Sequence, residues 1–135
     1  MKKVLTLSLL LLLFSATNTV LAGDTLRPGE WLVKGQALYS NNGYYRLVMQ
    51  TDGNLVLYVG SGYHALWSSG TYGQQVTGVV MQTDGNLVIY NTSRKPIWSS
   101  NTWGNPGSYL VVQNDGNVVI YRPTCPIWAT NTKYS

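Results

Sequence analysis

Cysteine is almost missing from this chain: Cys125 is the only one in 135 residues. A single thiol makes no internal disulfide, so the core has to hold without a covalent cross-link. Histidine is as scarce, with His64 alone, which reads as a surface-loop residue. Neither a metal cluster nor a Ser-His-Asp set can be assembled around it. Charged residues make up only 10% of the chain, and its acids are Asp24, Glu30, Asp52, Asp84 and Asp115. Hydrolytic chemistry of the two-carboxylate kind needs a facing pair, whereas three of these acids lie one per repeat, so the chain is not expected to be an enzyme. Beyond Lys2 and Lys3 the basic residues Arg27, Lys34, Arg46, Arg94, Lys95, Arg122 and Lys133 are dispersed. That spread offers no stripe for nucleic acid and no patch for an anionic membrane.

Long apolar runs are also absent, apart from Val4 to Phe14 behind Met1, Lys2 and Lys3. Followed by a polar stretch and Val20, Leu21 and Ala22, this reads as a signal peptide over residues 1–22, leaving a mature domain at 23–135. The run is too short to anchor in a bilayer, and no cysteine follows it to carry a lipid. Secretion, without membrane insertion, is the expectation.

Glycine, tyrosine and tryptophan are plentiful instead, with 14, 10 and 5 copies. Together with the lack of any sustained 3.6-residue apolar period, they point to an all-β domain rich in turns. "MQTDGNLVLY" at 49–58 returns as "MQTDGNLVIY" at 81–90 and as "VQNDGNVVIY" at 112–121. A second marker follows each phrase: "LWSSGT" at 66–71, "IWSSNT" at 97–102 and "IWATNT" at 127–132. The unit therefore reads strand, Gln-x-Asp-Gly-Asn turn, strand, turn, Trp strand, with Asp-Gly as its hairpin signal.

Alternation along the second strand sorts its side chains. Leu55 and Leu57, Leu87 and Ile89, and Val118 and Ile120 face a core. Asn54, Val56 and Tyr58 face away, as do their counterparts, and Gln and Asp join them if the turn brings them round. Each unit then offers an outward patch of amide, carboxylate, methyls and phenol. Asp-Gly-Asn alone is hairpin chemistry, but no turn requires the Gln and the Tyr that recur with it. Trp67, Trp98 and Trp128 occupy equivalent places and are expected to meet on a pseudo-threefold axis as core. The N-terminal segment supplies further strands, with Asn42-Gly43 as a hairpin turn. Its first strand is expected to complete the third sheet, the alternative being exchange of the C-terminal strand with a second chain. Cys125, in "RPTCPIW", is expected in an exposed turn where it can link two chains.

Gln-x-Asp-x-Asn-x-Val-x-Tyr, three times with Ile-Trp or Leu-Trp after it, resembles the bulb-type mannose-binding lectin family, the B-lectin domain. The likeness covers the whole mature chain. It implies a β-prism II fold of three four-stranded antiparallel sheets with pseudo-threefold symmetry, each sheet carrying one shallow mannose site. Carried over, those sites are Gln50, Asp52, Asn54, Val56 and Tyr58; Gln82, Asp84, Asn86, Val88 and Tyr90; and Gln113, Asp115, Asn117, Val119 and Tyr121. The polar four would bond sugar hydroxyls while Val packs on ring carbons. The implied partners are mannose and high-mannose glycans on glycoproteins or cell surfaces, with no cofactor and no metal, and with a homodimer or higher homo-oligomer. Relatives of the fold also include antimicrobial and taste-modifying proteins, which use the scaffold on a non-sugar partner. The family's internal disulfide falls here on Gly53 and Thr77 and is lost. Asn91-Thr92-Ser93 is a glycosylation sequon just past Tyr90, where an attached glycan would crowd the second site.

Overall fold

The computed structural model describes residues 23–133, so the signal peptide expected over 1–22 lies outside the described residues. Twelve strands follow one another: β1 (Thr25–Leu26), β2 (Trp31–Val33), β3 (Ala37–Tyr39), β4 (Tyr45–Met49), β5 (Leu55–Val59), β6 (His64–Ser68), β7 (Val76–Met81), β8 (Leu87–Asn91), β9 (Pro96–Ser99), β10 (Tyr109–Val112), β11 (Val118–Arg122) and β12 (Cys125–Ala129). No helix occurs among the described residues.

The strands form three antiparallel sheets of four, in the orders β3-β4-β5-β6, β2-β7-β8-β9 and β1-β10-β11-β12. Each repeat builds three consecutive strands, and the N-terminal segment gives one outer strand to each sheet in turn. The expected closure of the third sheet is therefore found, with Thr25 paired to Val111 and Leu26 to Leu110. Within the chain, β12 pairs along β11. The Asn42-Gly43 turn joins β3 to β4, with the Gly43 N–H bonded to the Ser40 carbonyl at 2.8 Å. This is the β-prism II arrangement that the resemblance implied.

Alternation holds on the inner face, where Leu55, Leu57, Leu87, Ile89, Val118 and Ile120 are all at most 1% exposed. They belong to one cluster with Leu26, Leu32 and Leu38 from the outer strands and Leu110 from β10. At about 1.5 to 3 kcal/mol per fully buried large aliphatic side chain, this common core replaces the missing disulfide. Three indoles close it on the axis. Trp67, Trp98 and Trp128 contact one another pairwise edge to face, with centroids 5.6, 5.7 and 5.9 Å apart. Such pairs add about 0.5 to 1.5 kcal/mol each beyond their buried area.

The expectations for His64 and for the motif valines need correction. His64 is exposed as expected, but it opens strand β6 opposite Val59 and does not sit in a loop. Val56, Val88 and Val119 do lie on the outward side of their strands, yet they are only 3 to 4% exposed. A central strand has a neighbour on each side, and Val48 and Ser68 flank Val56 in register. The methyls form the floor of a patch and not its surface.

Cys125 is exposed, as expected, at the first position of β12 and not in the turn before it. At Gly53 the chain has φ +95, and a Cβ there would collide with the Gln74 carbonyl. The backbone therefore leaves no room for a cysteine at that position.

Candidate functional site

The ten-residue phrase folds as a hairpin with a three-residue loop. In the first unit the Gln50 N–H bonds the Asn54 carbonyl at 2.9 Å and the Gly53 N–H bonds the Gln50 carbonyl at 3.1 Å. Gly53 takes the left-handed conformation that closes such loops. Gln50 and Asn54 become the last paired residues on either side of Asp52, so the turn does bring Gln and Asp round to the outward face.

The side chains then lock together. Tyr58 donates its hydroxyl proton to Gln50 Oε1. The Gln50 amide donates to both Asp52 oxygens at 3.0 Å, and the Asn54 N–H reaches Asp52 Oδ1 at 3.0 Å. The same relay recurs as Tyr90, Gln82, Asp84 with Asn86, and as Tyr121, Gln113, Asp115 with Asn117. All fifteen candidate residues are thus brought together, five to a sheet. Tyr OH, with its proton committed, presents lone pairs outward, while the carboxylate keeps acceptor capacity. Because these groups are already oriented, a ligand need not order them.

Asn54 departs from its expected freedom. Its Oδ1 accepts from the Thr71 N–H at 3.1 Å and from Ser69 Oγ at 3.2 Å, leaving only the amide N–H donors for the outward face. Ser69 Oγ also takes the Leu55 N–H at 3.0 Å, and Thr71 Oγ1 donates to the Gly53 carbonyl at 2.6 Å. Ser100 and Thr102 buttress Asn86 in the same way, and Thr130 and Thr132 buttress Asn117. These six hydroxyl residues were not singled out from the sequence. Their signal was nevertheless present in "WSSGT", "WSSNT" and "WATNT", where a hydroxyl stands two residues after Trp, Gly or Asn three after it, and Thr four after it. Gly70, Asn101 and Asn131 all have positive φ, which explains the Gly-or-Asn choice.

The third carboxyl is tuned by its surroundings. Burial pushes the Asp115 pKa up, but the Asn117 N–H, the Gln113 amide and the nearby Lys133 charge outweigh it and hold it below its usual value. Asn91 of the sequon ends β8, with its Oδ1 accepting from the Ser93 and Lys95 N–H groups at 2.9 Å. Among the described residues no group of three or more His, Cys, Asp and Glu gathers that could hold a metal ion.

No family model matches the chain. A curated relative, the B-type lectin plumieribetin of Scorpaena plumieri, is 46% identical over 48 residues, which is 36% of this chain and 40% of that protein. Solved structures align far more fully. Monomeric monocot mannose-binding lectins from Gastrodia elata superpose with a TM-score of 0.72 at 42% identity, over 82% of this chain and 98% of theirs. The mannose-specific agglutinin of snowdrop (Galanthus nivalis) bulbs, solved with methyl-α-D-mannoside, gives 0.65 at 43% identity, over 83% and 99%.

Proposed function

From the premise that the chain belongs to the bulb-type mannose-binding lectin family, we propose that it is a secreted carbohydrate-binding protein that recognises terminal mannose and mannose-rich glycans through its three Gln-Asp-Asn-Val-Tyr patches. The family is one of lectins, which bind without catalysing, and the chain is not an enzyme.

The observation that carries the reading is the threefold relay of Tyr to Gln to Asp beside a half-tethered Asn amide over a Val floor. A pyranose ring offers neutral hydroxyls that both donate and accept, and an apolar face of C–H bonds. The patch answers with a carboxylate and phenol lone pairs as acceptors, amide N–H groups as donors, and the rim of a valine. Bonds to a carboxylate are the stronger of these. A few net bonds at about 0.5 to 1.5 kcal/mol each, less the cost of association, support affinities of roughly millimolar per site. Useful strength then comes from several patches engaging one glycan surface. Diversion of the scaffold to a non-sugar partner would leave such complete patches without a use, so it is the weaker reading.

A glycan array run in chelator tests the proposal, alongside a variant carrying Asp52→Ala, Asp84→Ala and Asp115→Ala. Mannose-terminated glycans are expected to bind the parent and not the variant, with both proteins melting as folded domains. Binding that disappears with chelator, a preference for galactose, or a folded triple variant that binds mannan like the parent would each refute it.

A further inference from the structure

The three patches share one motif but not one flank. Strand register makes the flanks comparable, because Val48, Val80 and Val111 pair with the motif residues Val56, Val88 and Val119. On the outer strand the partners of those three are Ala37, Trp31 and Thr25. Only the second sheet sets an indole there. Trp31 is 38% exposed, and its ring lies 6.0 Å from that of Tyr90 at 43°.

The position beside the motif tyrosine differs as well. In the first sheet it is Arg46, whose guanidinium lies 4.7 Å from the Tyr58 ring centroid and donates to the Gly60 and Gly62 carbonyls at 2.6 Å. In the third it is Tyr109, stacked on Tyr121 with its hydroxyl bonded to the Pro123 carbonyl at 2.8 Å. In the second it is Gly78. A Cβ at Gly78 would meet the Leu32 carbonyl oxygen at 2.6 Å and Val33 Cα at 2.7 Å, so β2 leaves no room for a side chain. A bulge at Thr77 interrupts the β7 to β8 pairing, which is regular in the corresponding hairpins of the other sheets.

The outcome is a cavity of about 520 Å³ lined by Trp31, Val80, Gln82, Tyr90, Thr92 and Arg94, among others. It lies within the range of roughly 300 to 1,000 Å³ usual for ligand pockets. Gln82 and Tyr90 belong to the motif, so the cavity and the motif patch are continuous.

We propose that this cavity is a second sugar subsite, which makes the second sheet an oligosaccharide site. The proposal rests on reading the motif as a sugar site. Trp31 provides a flat apolar wall for the C–H face of a second pyranose, linked to the one on the motif. Arg94 and Thr92 provide donors for its hydroxyl oxygens.

Titration calorimetry tests this on a protein carrying Asp52→Ala and Asp115→Ala, in which only the second motif is intact. The probes are methyl α-mannoside and the α1,2-, α1,3- and α1,6-linked mannobioses. One or more mannobioses are expected to bind about three- to tenfold tighter than the monosaccharide. Adding Trp31→Ala should bring that ratio to about one, and Trp31→Phe should restore part of it. A ratio near one for every linkage before Trp31 is changed, or a preference that survives Trp31→Ala in a folded protein, overturns the subsite and leaves the motif reading standing. Failure of the unaltered three-site protein to bind any mannoside overturns the motif reading, and the subsite with it.

Discussion

Asn54 and Asp52 stand two residues apart in one recognition phrase, yet replacing them should have very different costs. Asn54→Ala removes the acceptor of the Thr71 N–H, and Thr71 is only 7% exposed. An orphaned buried donor costs about 1 to 3 kcal/mol. Ser69 Oγ also loses its bond to Asn54, but it can still pair with Thr71 Oγ1 at 2.8 Å, so that loss adds little. The expected destabilisation is about 2 kcal/mol, and for a domain of about a hundred residues that lowers Tm by roughly 10 °C. Asp52→Ala instead frees an exposed Gln50 amide and the Asn54 N–H, both of which water can satisfy. Its Tm should fall by no more than about 3 °C. Scanning calorimetry without sugar compares the two variants directly, and binding to immobilised mannan shows that both weaken recognition. An Asn54→Ala protein melting as close to the parent as Asp52→Ala does would refute the buttress reasoning.

Three further outcomes are expected. Because the folded Asp115 pKa lies below its ordinary value of 3.8, the stability it contributes is fully present above that value and is lost as pH falls through the lower folded pKa. The stability difference between parent and Asp115→Asn, followed by denaturant titration from about pH 5 to about pH 2, should therefore shrink toward the acid end; a constant difference would count against it. Gly85→Ala, at φ +96 where a Cβ would collide with the Asn105 carbonyl, should cost at least about 2 kcal/mol in thermal unfolding. Cys125 is exposed and should label with a thiol reagent in the folded protein. Oxidation should give a dimer on a non-reducing gel that Cys125→Ser abolishes.

The inner architecture was legible in the sequence because the repeat carries it. Period-two apolar residues, Asp-Gly turns and one Trp per unit dictate three equivalent hairpins meeting on an axis, and they do meet there. Assignment of β2 to the second sheet and β3 to the first was not legible. It depends on pairings such as Trp31 with Val80, far apart in sequence and without a local signal. The burial of Val56 escaped for a related reason, since alternation gives the side a residue faces but not what its neighbours cover. The hydroxyls that hold the motif asparagines were written beside each Trp, yet small polar residues near a turn have an ordinary local explanation that hid their long-range one. The unequal flanks of the three patches became visible only once register aligned Ala37, Trp31 and Thr25.

The sheet that joins β1 to β10, β11 and β12 works like the clasp of a bracelet. Its outer strand β1 ends at Leu26 and the next strand of the same sheet, β10, begins at Tyr109, so a ribosome releases the two parts of the clasp at well-separated times. The first two sheets can pair from chain already made, but the axis stays open until Trp128 arrives to meet Trp67 and Trp98. Closure is therefore a late, long-range event of the kind that slows folding. A stalled or truncated chain would present two finished faces around an unfilled apolar interior, the form in which this protein is most exposed to aggregation and proteolysis.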